Sequence, residues 1–285
     1  MHFGILKIPN VASAFIYFKV FYMGIRIQSL DIIHKAASSC FTRGNLWAMG
    51  SQICSFSNSE ANQWLRRNGF KTVIDSGWLE NPTPIFQAMG FSDYIDVDIN
   101  DQARRILDLT QTLPKDCNAV ADMVLDSGTL EHIFELPTAL RNMNRLLKPG
   151  GVIVHITPVT FFDHGFVNVN PSLYKRFYEV NGYKQLFMTF QITIHNPLRV
   201  PRISSSWMPP ILARFNLPFG NHNRFDWVRS MRWLSSVARL PKNLLLVGAF
   251  QKRDDRKEFK IPTAKYKEIS HINETKNLFN EFSFP

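Results

Sequence analysis

The sequence predicts an α/β protein in which helices cover both faces of a mostly parallel β-sheet. Apolar runs alternate along the chain with segments whose apolar residues recur at helical spacing, and this alternation is typical of parallel sheets. Several segments end in turn-forming pairs such as Asn68-Gly69 and Asn181-Gly182, as helices commonly do. At 285 residues the chain is long enough for one such domain with extensions at its ends.

The individual elements follow from the same patterns. Apolar runs predict strands, and apolar residues at helical spacing predict helices. In chain order the sequence predicts strand 46–49, helix 60–67, helix 83–89, strand 94–99, strand 119–125, helix 136–147, strand 152–157, helix 171–180, strand 186–194 and strand 244–250. Gly50 follows the first strand and Pro171 begins the last helix, as turn and helix-start preferences favour. The last two strands are expected to finish the sheet as an antiparallel edge.

Basic residues are concentrated outside the predicted sheet. The formal net charge is +10, yet residues 44–194 hold more acidic than basic side chains. Residues 195–242 hold eight arginines and lysines against the single acid Asp226, with tryptophans and phenylalanines interleaved. Arginine suits phosphates and carboxylates, and aromatic faces suit sugar rings or bases. This segment is therefore expected to form a substrate cap between the last two strands, or an amphipathic insertion packed on the domain.

The two ends of the chain are expected to lie outside the domain. Residues 1–43 are predicted to form a helical extension, and residues 253–285 a polar tail. Residues 11–25 are nearly all apolar, but a membrane-spanning helix needs about 20 residues. This stretch is expected either to pack on the domain or to lie on a membrane surface.

The three cysteines are Cys40, Cys54 and Cys117. They form no CxxC pair and show no spacing to histidines that would indicate zinc. They are expected to be ordinary thiols of a protein in the reducing cytoplasm, and no metal site is predicted.

Small and acidic residues at the ends of predicted strands indicate a ligand site, because ligands bind beyond the carboxyl ends of open parallel sheets. Gly50-Ser51-Gln52 follows the first strand, where a missing side chain lets the backbone approach a ligand. Asp98 ends the next strand, and a carboxylate there can accept hydrogen bonds from both hydroxyls of a ribose. Asp96 is the alternative for that role.

The central block of the chain resembles class I S-adenosylmethionine-dependent methyltransferases. The likeness is carried by DMVLDSGTLEH at 122–132, LLKPGG at 146–151 and VIVHITP at 152–158. It covers about half the chain, and it implies a Rossmann-like methyltransferase fold over residues 44–252, with a mostly parallel seven-stranded sheet whose last strand is antiparallel. The first glycine loop departs from the pattern, since it offers only Gly50 where many relatives carry three glycines.

The resemblance implies S-adenosylmethionine as the cofactor and assigns residues to it. Those residues are Gly50, Ser51 and Gln52 at the methionine end, Asp98 at the ribose, Asp108 and Leu109 at the adenine, Asp126, Ser127 and Gly128 beneath the sulfonium, and Ile99 as a further cofactor-binding residue. Methyl transfer to a hydroxyl also needs a base. His164 is the first candidate for that base, and His132 is the second, with Glu131 as an orienting acid. Alternatively, His132 and Glu131 hold loops in place. His155 lies inside a strand and is expected to be a hydrogen-bonded core residue.

Three functions remain open from the sequence. The first is O-methylation of a sugar, glycan-linked or other small molecule, because segments 164–166 and 170–174 resemble a branch whose members often sit near glycan and surface-polymer genes. The second is a catalytically silent binding module, which the reduced glycine loop motivates. The third is a nucleic-acid methyltransferase that uses the Arg/aromatic segment. A nicotinamide oxidoreductase is least favoured, because the first turn lacks its glycine fingerprint.

Overall fold

The computed structural model describes residues 24–71, 81–192, 244–253 and 259–262. The elements in these ranges are α1 (Ile27–Ala37), β1 (Asn45–Met49), α2 (Asn58–Arg67), α3 (Thr83–Ala88), β2 (Asp93–Asp98), β3 (Arg105–Ile106), β4 (Ala121–Ser127), α4 (Leu136–Leu146), β5 (Leu147–Pro158), α5 (Pro171–Val180), β6 (Tyr183–Ile192) and β7 (Leu244–Lys252). Two short 3₁₀ turns, Lys115–Cys117 and Leu130–His132, precede β4 and α4.

The strands form one seven-stranded sheet in the order β3-β2-β1-β4-β5-β7-β6. Neighbouring strands from β3 to β5 pair in parallel, and β7 is antiparallel to both β5 and β6. The chain moves outward from β1 to β3 and then returns to β4, so the strand order reverses between β1 and β4. This arrangement confirms the predicted Rossmann-like methyltransferase fold, and the reversal marks the edge at which such sheets bind ligands.

Helices cover both faces of the sheet, as predicted. On one face, buried residues of α1, α2 and α3, including Leu30, Trp64 and Phe86, pack against one set of strand residues. On the other face, α4 and α5 pack against the alternate set, with Met143 and Tyr178 among the buried side chains. Because successive side chains of a strand point to opposite faces, strands buried on both faces appear in the sequence as the continuous apolar runs noted above.

The amino-terminal ends of β1 and β5 meet at a buried carboxylate. Asp122 in β4 accepts hydrogen bonds from the backbone N–H of Asn45 at 2.8 Å and from Nζ of Lys148 at 2.8 Å. The hydroxyl of Thr42 donates to its other oxygen. Burial alone would raise the pKa of Asp122, but these hydrogen bonds outweigh it and hold the pKa below its ordinary value. This carboxylate therefore fastens three segments at the edge opposite the ligand edge.

Three features differ from the sequence-based expectation. Strand β5 begins at Leu147, before the Pro149-Gly150 pair that was expected to break the chain, because Leu147 pairs with Ala121 ahead of an irregularity in the ladder. The two-residue strand β3 was not predicted. Helix α1 lies within the predicted N-terminal extension, yet its buried residues join the core of the sheet.

Several predicted regions fall outside the described residues. These are residues 195–242, almost all of the polar tail, and residues 11–25 apart from their last two positions. Among the described helices, none combines the length and the apolar character that crossing a membrane requires.

Candidate active site

The loop after β1 is built around Gly50. Its backbone has a φ of +75°, and its N–H donates to the Val97 carbonyl at 2.7 Å, which ties the loop to β2. A Cβ at this position would lie 2.6 Å from Oγ1 of Thr129, whose hydroxyl donates to the Met49 carbonyl at 2.6 Å. Glycine suits both this conformation and this close approach. The loops that follow β1 and β4 are thereby packed against each other.

Asp98 lies at the end of β2, beside this loop. Its Oδ2 accepts a hydrogen bond from the Ser51 N–H at 2.8 Å, and its Oδ1 accepts one from the Ile99 N–H at 2.7 Å. The Asn100 N–H also donates to Oδ1 at 3.4 Å, so the remaining acceptor position is on Oδ2, and Asp98 is half-buried. The side chain of Ile99 is 75% exposed. An oriented acceptor and an exposed apolar side chain thus stand next to each other at the ligand edge.

Asp96, the alternative to Asp98, has other partners. Its Oδ2 accepts from the Ser51 hydroxyl at 3.0 Å, and its Oδ1 accepts from the Arg104 N–H at 3.1 Å. The Asn100 amide donates to the same Ser51 hydroxyl at 3.2 Å. The side chain of Ser51 therefore joins the network of Asp96, while its backbone N–H is held by Asp98.

Three of the predicted cofactor residues are engaged within the protein. Gln52 is buried, and its Nε2 donates to a carbonyl of β1 at 2.8 Å. Asp108 accepts from the backbone N–H and the hydroxyl of Thr110 at 2.8 and 2.7 Å. Leu109 is buried in the core, and its carbonyl accepts from the Asn142 amide at 2.9 Å. These residues shape the loops at the ligand edge, and the buried Asn142, which the sequence did not single out, helps to hold them.

Asp126 is fully buried at the end of β4 and pairs with a histidine. Its Oδ2 lies 2.7 Å from Nδ1 of His155, and Nε2 of His155 lies 2.6 Å from the Tyr178 hydroxyl. The His155 ring also stacks on Tyr174, with 4.2 Å between the ring centroids. Both ring nitrogens of His155 therefore have partners, which confirms the prediction of a hydrogen-bonded core histidine.

The other oxygen of Asp126 organises the turn that follows β4. Oδ1 accepts from the backbone N–H groups of Thr129 and Leu130, each at 3.2 Å. Ser127 is buried, and Gly128 has a φ of +85°. The residues predicted to lie beneath the sulfonium thus form a tightly held turn. Because both oxygens of Asp126 are already hydrogen-bonded, this side chain can affect a ligand only by holding that turn.

The three predicted acid–base residues come together in space. Nε2 of His164 lies 3.7 Å from Oε1 of Glu131, and the rings of His164 and His132 meet edge to face with centroids 4.9 Å apart. One donor atom from each residue falls within 4.8 Å of the others. Glu131 was expected to orient His132, but its carboxylate lies against His164 instead. The carbonyl of Glu131 accepts from the Phe166 N–H at 2.8 Å, so the loops after β4 and β5 are joined there.

In the cluster formed by Glu131, His132 and His164, the pKa of the acid is raised and the pKa values of both histidines are lowered. Glu131 is shielded from solvent, with an exposed fraction of 0%. Within the described residues, neither of its carboxylate oxygens has a hydrogen bond. Burial, with a contribution from the charge of Asp126, raises the pKa of Glu131 to about 8. Burial lowers the pKa of His164, and burial together with His164 lowers the pKa of His132. Neutral histidines at neutral pH can accept a proton or bind a cation.

Aromatic side chains of the same loops lie beside this cluster. Phe134 and Phe166 are 81% and 68% exposed, and their rings meet edge to face at 5.8 Å. Phe162 is 98% exposed, while the ring of Phe161 lies 5.5 Å from that of His164. Phe134 and Phe162 were not singled out from the sequence, because isolated aromatics in loops carry no periodic pattern. An apolar rim therefore stands beside the polar cluster.

Residues 81–155 match the family profile of a methyltransferase domain. The match runs from the start of α3 into β5 and includes Asp98, Asp126, Glu131 and His132, whereas Gly50 lies before it. No curated protein sequence matches the chain.

Solved structures that are similar to this chain are distant in sequence. The YcgJ protein from Bacillus subtilis is 12% identical to this chain, with a TM-score of 0.40. The alignment covers 80% of this chain and 99% of the YcgJ chain. A protein named as an S-adenosylmethionine-dependent methyltransferase from Listeria monocytogenes is 9% identical with a TM-score of 0.39, covering 78% of this chain and 96% of its own.

Proposed function

We propose that this chain, a class I S-adenosylmethionine-dependent methyltransferase, methylates a hydroxyl of a sugar, a glycan-linked molecule or another small molecule. The reaction class and the cofactor are the premise, since the strand order and the methyltransferase domain match agree on them. The acceptor is the proposal. It is carried by one observation, the cluster of Glu131, His132 and His164 at the ligand edge.

The residues at the ends of β1 and β2 fit the cofactor. The position of Gly50 has no room for a side chain, so the loop presents bare backbone to a ligand. Asp98 is already oriented by three backbone N–H groups and keeps an acceptor position on Oδ2 for a ribose hydroxyl. The exposed Ile99 offers an apolar surface for the adenine ring. When bound there, S-adenosylmethionine supplies a methyl group that its sulfonium already activates.

The acid–base cluster lies close to this cofactor site along the chain and in space. Thr129 contacts the Gly50 loop through its hydroxyl, and Glu131 and His132 follow within the same turn. His164 comes from the loop after β5 and has a buried Nε2 without a hydrogen bond among the described residues. An acceptor hydroxyl near this nitrogen can pass its proton to the neutral imidazole, which is worth about 10²–10⁴-fold in rate for a positioned base.

The surroundings of the cluster support a small, partly apolar acceptor. The exposed rings of Phe134, Phe162 and Phe166 form surfaces on which a sugar ring or another flat apolar group can pack. The nucleic-acid alternative depends on the basic segment 195–242, which lies outside the described residues. It therefore remains an outcome of the experiments rather than a second proposal.

Calorimetry tests the cofactor residues. S-adenosylhomocysteine is titrated into the natural protein, Asp98→Asn and the control Asp101→Asn, which changes an exposed acid in the same loop. We expect Asp98→Asn to lose about tenfold in affinity, because a charge-assisted hydrogen bond contributes roughly 1.5–3 kcal/mol. Asp101→Asn should bind as the natural protein does. Equal affinity in all three proteins would remove Asp98 from the ribose site, and absence of binding would favour a silent module.

Transfer of a labelled methyl group tests the acceptor. Monosaccharides, glycosides, phenols, amines and short RNA are offered in parallel, and products are analysed by mass spectrometry. We expect O-methylated products, and a loss of about 100-fold or more in turnover for His164→Ala with unchanged S-adenosylhomocysteine affinity. The control is Asp163→Asn, since Asp163 is exposed in the same loop and has a positive φ that asparagine tolerates. Products methylated only on nitrogen would contradict the proposal.

A further inference from the structure

We infer that Glu131, His132 and His164 form a binding site for a divalent transition-metal ion. Nothing in the sequence spacing suggests this site, because His164 comes from a different loop, and it forms only when the loops after β4 and β5 are joined. The inference deepens the proposed function and rests on it for the role of the ion, although the binding itself can be measured independently.

The distances fit metal coordination. Zinc binds imidazole nitrogens and carboxylate oxygens at about 2.1 Å. Nε2 of His164 and Oε1 of Glu131 are 3.7 Å apart, so an ion at about 2.1 Å from each would make an angle of roughly 120° with them. All three donor atoms lie within 4.8 Å of one another, whereas two ligands of one ion can be at most about 4.2 Å apart. Rotation of the exposed His132 side chain closes that difference.

The second observation is that donor atoms of Glu131 and His164 are buried without hydrogen-bond partners among the described residues. Glu131 has an exposed fraction of 0%, and neither of its oxygens has a hydrogen bond within the described residues. Nε2 of His164 is likewise buried without a hydrogen bond. Buried polar groups are almost always paired, coordinated or hydrated. Asp126 and His155 are equally buried only a few residues away, yet they satisfy each other. A cation would supply the hydrogen-bond or ligand partner that neither Glu131 nor His164 has among the described residues.

The loops that carry the three side chains are held together, and one side of the cluster is open to solvent. Exposure increases from the buried Glu131 through the half-buried His164 to the exposed His132. The hydrogen bond from the Phe166 N–H to the Glu131 carbonyl holds the two ligand-bearing loops together. Three protein ligands leave a coordination position for water or a substrate. An open site of this kind suits a reacting group better than a purely structural ion.

The ligand set selects the class of metal. Two imidazoles with one carboxylate favour ions such as zinc, cobalt, iron or manganese, whereas magnesium and calcium prefer all-oxygen sites. An acceptor hydroxyl that occupies the open position would have its pKa lowered by the ion, and its proton would leave to solvent. The oxygen then keeps the electron pair that methylation requires. With the ion bound, His164 is a ligand, so the ion replaces the imidazole as the group that activates the hydroxyl.

Metal titration of the tag-free, chelator-treated full chain tests the site. Cobalt is followed by its visible absorption, and zinc by calorimetry and by thermal unfolding. Glu131→Gln and His164→Ala remove one ligand each, and Asp163→Asn is the control because it removes an exposed charge beside His164. We expect one equivalent of metal in the natural protein and in Asp163→Asn, and at least about tenfold weaker binding in the two ligand variants. Zinc should raise the unfolding temperature only where it binds.

Circular dichroism shows whether each variant has folded, and Glu131→Gln keeps the shape of the buried side chain. Equal cobalt spectra and zinc affinities in the natural protein and both folded ligand variants would overturn the inference, as would absence of binding to the natural protein. The proposed function fails in a different way, through lack of S-adenosylhomocysteine binding or of O-methylated product. Full methylation activity in the presence of a strong chelator would keep the proposed function and remove the role of the metal.

Discussion

Gly50 is constrained both by its backbone conformation and by its neighbour. Its φ of +75° is costly for other residues, and a Cβ would lie 2.6 Å from Oγ1 of Thr129. We expect Gly50→Ala to lower the free energy of unfolding by about 2–3 kcal/mol, the positive φ and the close contact each contributing. We also expect it to weaken S-adenosylhomocysteine binding, because the loop must shift. Urea unfolding and calorimetry measure the two effects.

Gly69 provides the matched control for that substitution. It has a similar φ of +81°, yet a Cβ there would meet nothing within 4 Å. Gly69→Ala should therefore lose only about 1–2 kcal/mol for the positive φ and leave ligand affinity unchanged. Equal losses of stability and affinity in both variants would show that the contact with Thr129 has no effect on the cofactor site.

Glu131 and His132 show what sequence adjacency does not reveal. Both lie in the 3₁₀ turn Leu130–His132, where successive side chains point about 120° apart. One is therefore fully buried and the other exposed, and the contact of Glu131 within ion-pair distance is with His164. That contact could be found only by joining two loops in space. The residue types were predictable, but their pairing was not.

At the scale of elements, Asp122 couples stability to pH. Hydrogen bonds from Lys148, Thr42 and the Asn45 N–H overcome burial and keep its pKa below the ordinary value. A carboxyl group of this kind stabilises the fold above the pKa of the unfolded chain, which is about 4 for aspartate, and the contribution is lost as the pH falls through the lower folded value. The natural protein should thus lose stability below about pH 4.

Asp122→Asn tests this contribution. At pH 7 we expect it to lower the free energy of unfolding by about 2 kcal/mol, since hydrogen bonds to charged groups contribute roughly 1.5–3 kcal/mol. The difference from the natural protein should shrink as the pH is lowered from 5 to 2.5 in chemical unfolding experiments. Asp116→Asn is the control, because Asp116 pairs with Arg105 on the surface, where ion pairs contribute little. A difference for Asp122→Asn that is independent of pH would refute the electrostatic origin.

Helix α2 begins with a complete capping box. The Ser57 side chain accepts from the Glu60 N–H, and the Glu60 carboxylate accepts from the Ser57 N–H. We expect Ser57→Ala to lower the free energy of unfolding by about 1 kcal/mol, because the cap satisfies N–H groups that the helix leaves free. Ser59→Ala, an exposed position of the first turn, should have an effect near zero. Thermal unfolding of the two variants should therefore differ, and equal unfolding temperatures would mean that water replaces the cap.

At the scale of the whole molecule, the sheet was predictable from sequence to a large extent. Apolar runs and glycine turns predicted the strands that become β1, β2, β4 and β7, because strands buried on both faces leave continuous apolar stretches. Strand β3 has two residues and therefore no pattern. The start of β5 was obscured because Pro149 and Gly150 favour a turn locally, while the pairing of Leu147 and Val152 with β4 on either side keeps the strand continuous. Tertiary pairing decided the cases in which local preference was misleading.

The two edges of the sheet have separate tasks, and this separation leads to a last prediction. Asp122 fastens the amino ends of the strands, whereas Gly50 and Asp98 lie at the carboxyl ends, where the ligand is expected. S-adenosylhomocysteine at 100 times its Kd should raise the free energy of unfolding by about 2.7 kcal/mol. We expect the same increment in Asp122→Asn despite its lower starting stability, because distant sites without shared partners contribute additively. At the same ligand concentration Asp98→Asn should lose about 1.3 kcal/mol of the increment for a tenfold weaker affinity. Chemical unfolding with and without the ligand measures the increment in each of the three proteins, and a clearly smaller increment in Asp122→Asn would show that the edges are coupled through β4.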